Sequence, residues 1–187
     1  KYDRNILPSE TALQTLIRQH AEKYKVAVHP SWQSGDDPAL IRKEKETIET
    51  ITRKKVIASR QHFIRFNLPE TFRYLLDTGI QEDFSMGYGS INGFRASVAS
   101  PFYWYDLNKE QATSLLLYPY CYMEANSFFE QRSTPQQALE EMRHYFREVK
   151  KVNGMLITIW HNTFLGTEPL FSGWRDVYAR FVKEVMT

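Results

Sequence analysis

Apolar residues along the chain repeat with two periods, and the two take turns. Ala12, Leu13, Leu16, Ile17, Ala21 and Tyr24 fall at helical spacing. Ser9 offers a side-chain oxygen to the free amides ahead of them, so a helix is predicted from Ser9 to about Tyr24. Val26-Ala27-Val28 is a short apolar run that ends at His29-Pro30, and proline has no amide proton for a ladder, so a buried strand should stop there. Asp36-Asp37-Pro38, acidic caps with proline in the first turn, signals a second helix carrying Leu40, Ile41, Ile48 and Ile51 and closing at Arg53-Lys54-Lys55. Val56-Ile57-Ala58 reads as the next strand and runs into Ser59-Arg60-Gln61-His62. Pro69 opens a third helix through Phe72, Leu75 and Leu76, and Gly79 suits the left-handed position that ends helices. Leu115–Pro119 and Met155–Ile159 read as strands on either side of a long helix, which starts at Thr134-Pro135, turns Ala138, Leu139, Met142, Phe146 and Val149 inward and ends at Asn153-Gly154. Trp174, Val177, Tyr178, Phe181, Val182 and Val185 give a last helix.

Strand and helix therefore alternate, which implies a parallel sheet with its chemistry at the C-terminal ends of strands. Polar residues gather at those ends: His29, His62, Asp83 and His161 each sit just past, or at the close of, an apolar run. From Gly87 to about Leu107 the chain is rich in glycine, serine and aromatics without a sustained period, and it reads as a long ordered loop over a site. No internal repeat competes with this reading.

Composition narrows the classes. With 187 residues, 42% hydrophobic and 14% aromatic, there is enough material for one sizeable core, so a single domain over 1–187 is expected. The 24 basic and 22 acidic residues are mixed along the chain, and no block of one sign is present to grip phosphates or anionic lipid. Neither nucleic acid nor a membrane is an expected partner, and no run of about 18 apolar residues appears. The lone Cys121 excludes an internal disulfide and any cysteine-built zinc site. It permits a reducing compartment, so a cytoplasmic location is weakly favoured. The chain opens at Lys1 rather than methionine and reads as an excised piece.

Six blocks, in order and spacing, carry a resemblance: His29-Pro-Ser-Trp, Ser59-Arg-Gln-His62, Asp83-Phe-Ser-Met-Gly-Tyr, Gly93-Phe-Arg-Ala, Pro101-Phe-Tyr-Trp-Tyr-Asp106 and Trp160-His-Asn. Together they resemble a bacterial branch of the polysaccharide deacetylases, the NodB-homology family, over residues 1 to about 180. The resemblance implies an α/β fold, an incomplete or distorted parallel (β/α) barrel of the glycoside hydrolase and deacetylase type. It also implies hydrolysis of N- or O-acetyl groups on carbohydrate with a divalent metal ion, zinc foremost. Family members hold the metal with one aspartate and two histidines and use a second aspartate as base, both aspartates on the first strand. The segment Lys1-Tyr-Asp-Arg-Asn-Ile resembles the stretch after the second strand in relatives, so the chain is expected to be N-terminally truncated and inactive alone.

On this resemblance His29 corresponds to the first metal histidine. The usual second histidine four residues on is replaced by Gln33, and His62 at the next strand end is its substitute. Arg95 matches the arginine that orients the catalytic aspartate, and His161 matches the acid that protonates the leaving group, a role imidazole can fill near neutral pH. Tyr88, Phe102 and Trp104 are candidates to stack on a sugar, and Asp83 is a candidate support for the metal shell or a partner for Arg95. Each has a plainer reading: histidines that end strands, aromatics that hold a loop down. His20 and His144 lie among charges on predicted helices and are taken as solvated. Two other functions compete. One is a non-catalytic carbohydrate-binding or scaffold domain, favoured by Gln33. The other is a glycoside hydrolase, which needs two carboxylates about 5 to 9 Å apart, with Asp83, Asp106 and Glu124 as the near candidates.

Overall fold

The computed structural model describes residues 6–186, so the expectation placed on Lys1–Asn5 lies outside the described residues. All the helices expected from spacing are present, and the chain divides into two compact units: residues up to Ser85 with Phe102–Leu117, and Met86–Pro101 with residues from Tyr118 onward.

The first unit holds α1 (Thr11–Lys23), α2 (Pro38–Thr52) and α3 (Glu70–Asp77). Asp37 caps α2 as its sequence suggests, its carboxylate accepting from the Ala39 amide at 3.0 Å. At α1 the expectation is corrected: the cap position is Glu10 with no side-chain bond, and Ser9 lies outside it. The Gln14 amide instead ties the first turn back to the Pro8 carbonyl at 2.8 Å. The strands are β1 (Ala58–Ser59), β2 (Glu82–Asp83), β3 (Phe102–Asp106) and β4 (Gln111–Leu117), in the order β1-β2-β4-β3. β1, β2 and β4 are parallel, with Asp83 level with Ser59 on one side and Leu117 on the other. The Val26–Val28 run shrinks to a single parallel bridge from Val28 to Ser59, so that His29 emerges beside Arg60. Helices α2 and α3 connect these parallel elements, the arrangement expected of alternating strand and helix.

The stretch read as loop up to Leu107 ends differently. Phe102–Asp106 is the edge strand β3, antiparallel to β4. Its side chains do alternate, with Trp104 and Asp106 buried and Tyr103 and Tyr105 exposed. The outward positions are themselves aromatic, so no polar contrast betrays the period of two. Trp104 is 8% exposed and meets Phe72 edge-on at 5.4 Å, so its ring belongs to this unit's packing. Buried Asp106 is clamped by Arg73, whose Nε and Nη2 donate to its two oxygens at 2.7 and 2.8 Å. The guanidinium holds that carboxyl below its ordinary pKa despite opposing desolvation.

The second unit holds β5 (Tyr122–Met123) and β6 (Thr158–Ile159), paired in parallel, with α4 (Pro135–Lys151), α5 (Asn162–Leu165) and α6 (Trp174–Met186). α4 opens with a complete capping box between Thr134 and Gln137 and packs along α6. Their inward faces, with Cys121, Tyr122, Phe164 and Trp174, make one apolar cluster. Burial pushes the Cys121 thiol up to about 12, which leaves it an inert core residue. Residues 86–101 are pinned rather than loose: Asn126 Nδ2 donates to the Tyr88 and Ile91 carbonyls at 3.1 and 2.8 Å, and Gly93 N–H donates to the Cys121 carbonyl at 2.7 Å. Gly87 is required by close approach, since a Cβ there would stand 2.3 Å from the Tyr120 ring.

Candidate functional site

In the first unit the strand ends converge. Parallel bridging aligns Val28 with Ser59, so the chain leaves both elements side by side and the rings of His29 and His62 come to 4.7 Å between centroids, at 61°. His29 Nδ1 lies 2.6 Å from the Arg60 carbonyl. A carbonyl can only accept, so Nδ1 carries a proton, and in the neutral ring the lone pair is on Nε2. This is the second contact that metal-ligating imidazoles commonly have. Two imidazoles sharing a tetrahedral zinc at about 2.0 to 2.1 Å would have centroids roughly 5 Å apart. The 4.7 Å between the two ring centroids is of that order. Among the described residues no group of three or more histidine, cysteine, aspartate or glutamate side chains could hold a metal.

Asp83, at the end of β2, is fully buried. Its Oδ2 accepts from Ser59 Oγ at 2.7 Å and Ser85 Oγ at 3.0 Å, and its Oδ1 from the Ser85 amide at 2.8 Å. Burial raises its pKa to about 6, against the pull of those bonds and of the Arg60 charge. Ser85 Oγ in turn accepts from the Gln61 amide at 2.8 Å, which ties Asp83 to the backbone just before His62. Asp106 sits level with Gln111 on β4 and Asp83 level with Leu117, which separates the two along the strands by about 20 Å. These two carboxylates cannot flank one glycosidic bond.

A second device holds the turns that follow the two histidines. Arg65 Nη1 donates to the Trp32 carbonyl at 2.8 Å, and Nη2 reaches both Asp36 oxygens at 2.5 and 2.6 Å. The guanidinium also lies over the Trp32 ring at 4.1 Å. Gly35 makes room for it, because a Cβ there would stand 2.6 Å from Arg65 Nη1.

In the second unit, the β5–β6 register sets Met123 opposite Ile159, so Glu124 and Trp160 leave the sheet together. His161 follows, at the cap of α5, and both its backbone N–H and its Nδ1 lie 2.6 Å from Glu124 Oε1. Glu124 is wholly buried, and its Oε2 has no hydrogen-bond partner among the described residues. The His161 side chain is 41% exposed, so this imidazole has one nitrogen on a buried carboxylate and a face to solvent. Sequence reasoning did not pair these two residues. One signal was there: Glu124 is the only charged residue between Glu110 and Glu130. Arg95 is exposed in a turn of the 86–101 segment, Tyr88 is half-buried and its carbonyl also accepts from Tyr120 Oη at 2.7 Å, and Phe102 is half-buried at the start of β3.

No family model and no curated relative matches the chain in sequence. Its likeness is to solved structures. A structure described as a polysaccharide deacetylase from Mycobacterium smegmatis aligns at 18% identity and TM-score 0.61, covering 92% of this chain and 60% of that one. PuuE allantoinase aligns at 12% and TM-score 0.64, and a polysaccharide deacetylase from Pseudomonas aeruginosa PAO1 at 13% and 0.64, each covering 92% of this chain and 57% of its own. The chain thus spans somewhat under two thirds of these neighbours. At such identities the likeness concerns architecture, and the conclusion it carries is that this chain has the α/β fold of the polysaccharide deacetylase structures, with a parallel sheet and flanking helices.

Proposed function

We propose that this chain is part of a metal-dependent deacetylase acting on N- or O-acetylated carbohydrate. The observation that carries the reading is the His29–His62 pair, 4.7 Å apart, with the His29 tautomer set by the Arg60 carbonyl. Fold likeness alone is a weaker warrant, since an allantoinase shares the architecture. A divalent ion, zinc foremost, would polarise the acetyl carbonyl and acidify a bound water. The chain's own residues do the rest. His29 and His62 present ring nitrogens to the ion. Arg95 orients the base carboxylate. His161 keeps Nδ1 on Glu124, so its Nε2 is the nitrogen that hands a proton to the leaving amine or hydroxyl. Tyr88 and Phe102 are the remaining aromatic candidates for sugar contact. Residues 6–186 by themselves are expected to release no acetate.

The test is metal and product together. The full-length protein carrying this chain should take up one zinc by elemental analysis and release acetate from an acetylated oligosaccharide, and His29→Ala with His62→Ala should lose both. A wild-type protein that binds no divalent ion favours instead the carbohydrate-binding or scaffold reading, to which Gln33 in place of a family histidine already points.

The Arg65 clamp adds an expectation. Arg65→Ala frees the turns after both histidines, and zinc affinity by calorimetric titration should fall roughly tenfold or more, as for other residues that orient metal ligands. Its thermal midpoint should move little, because the pairing with exposed Asp36 is worth little to folding. A midpoint that collapses while zinc affinity is kept would show the clamp to be structural only.

A further inference from the structure

The turn that carries His62 has a feature the metal reading does not use. Phe63 (φ 56, ψ 17) and Ile64 (φ 53) are consecutive residues in the left-handed region, and neither is glycine or asparagine. For a phenylalanine followed by a β-branched residue this conformation is costly, and such strain persists only where the surroundings enforce it. They do so here. The Ile64 amide bonds the Gln61 carbonyl at 3.0 Å, the Arg65 amide bonds the His62 carbonyl at 3.1 Å, Gln61 is fixed through Ser85, and Arg65 is clamped to Trp32 and Asp36.

Folding gains little from the strain, because the Phe63 ring ends up 62% exposed. It is not loose either: its centroid stands 4.6 Å from that of His62, which stands 4.7 Å from that of His29, so the three rings are contiguous. The other widely exposed phenylalanine, Phe129, has a negative φ, within the π-helical turn Asn126–Glu130, and lies against Phe128, Phe164 and Phe171. Exposed Tyr103 and Tyr105 also stand on an ordinary strand. Among the described residues, Phe63 alone combines an exposed apolar ring, an enforced left-handed backbone and contact with the histidine pair.

We propose that Phe63 is a substrate-contact residue, whose ring receives the apolar C–H face of a pyranose next to the acetylated position. The inference rests on the deacetylase reading of the His29–His62 site and adds its glycan-stacking element. Phenylalanine offers no polar atom, so it supplies position and a preference for a flat sugar face rather than recognition of hydroxyls.

The strain supplies the decisive variant. Phe63→Gly removes the Cβ that makes the left-handed backbone costly, so it should keep or raise the thermal midpoint while removing the ring. The whole chain is titrated calorimetrically with tri-N-acetylchitotriose and with an O-acetylated xylotetraose, with and without zinc. We expect wild type to bind at least one of them, Phe63→Gly and Phe63→Ala to bind it roughly tenfold more weakly or worse, and Phe63→Trp to keep binding. Zinc affinity and thermal midpoint should be unchanged or improved in all three. Glycine and alanine variants that bind as tightly as wild type, or a wild type that binds neither saccharide in either arm, overturn the proposal. A chain that fails to take zinc yet shows Phe63-dependent saccharide binding instead overturns the metal reading and leaves this one standing.

Discussion

Replacing Glu124 by glutamine is expected to lower kcat for acetate release by the full-length protein roughly 10²- to 10⁴-fold, close to the loss in His161→Ala. Glu124 Oε1 takes two donors at 2.6 Å, the backbone N–H and the Nδ1–H of His161. A glutamine carbonyl can still accept one or both, so geometry can survive. What goes is the negative charge that stabilises the imidazolium, together with the constraint that keeps Nδ1 the donor, since a rotated amide would offer N–H to the ring and invert its tautomer. Glu124 acts through His161, and its role is positional. Three readouts separate that role from mere support. KM and zinc affinity should stay near wild type while kcat falls. The double variant should be little worse than either single one, because residues acting as a unit are not additive. The pH profile should lose the limb that reports the acid. A Glu124→Gln protein with wild-type kcat would remove His161 and its partner from the chemistry.

How much of this was legible in the sequence depended on how local each signal was. Both metal-candidate histidines could be found because each follows a short apolar run, His29 directly after Val28 and His62 four residues after Ala58, and parallel neighbours deliver consecutive strand ends to the same place. Helix positions could be found too, since Asp37-Pro38 and Thr134-Pro135 carry their caps in adjacent residues. Strand extent could not: the runs Val56–Ala58 and Met155–Ile159 yield ladders of two, Val26–Val28 a single bridge, and Leu115–Pro119 the longer Gln111–Leu117, because burial rather than hydrogen bonding sets where hydrophobic residues continue. The edge strand β3 was hidden by tyrosines on its exposed face. Nor could local pattern reveal that Arg65 reaches back 29 residues to Asp36, or that Ser59 on β1 donates to Asp83 on β2. Those pairings depend on register between strand ends, which no local period encodes.

The serine pair around Asp83 leads to a pH effect of definite sign. Asp83 is fully buried with a pKa of about 6, against an ordinary value of 3.8. A carboxyl that holds its proton more tightly when folded binds more protons in the native than in the unfolded state between those values, so stability falls as pH rises through that window. Above about pH 7 the full cost of an ionised, desolvated carboxylate is in place, on the order of 3 kcal/mol before the serine bonds are disturbed. Asp83→Asn removes the charge while its Oδ1 still accepts the Ser85 amide, and the Ser59 and Ser85 hydroxyls can turn to accept from the new amide. Denaturant unfolding at pH 8 should therefore find the variant more stable than wild type by about 1 to 3 kcal/mol, with the gap closing below about pH 4. Wild type should lose stability between pH 4 and 7 where the variant's curve is flatter. The variant should nonetheless bind zinc more weakly, because a Ser85 hydroxyl turned to accept from the new amide gives up the orientation in which it accepts the Gln61 N–H just before His62. Equal stability at pH 8 would mean that Asp83 is better solvated than its burial implies and titrates near its ordinary value. Unchanged zinc affinity would detach it from the histidine pair.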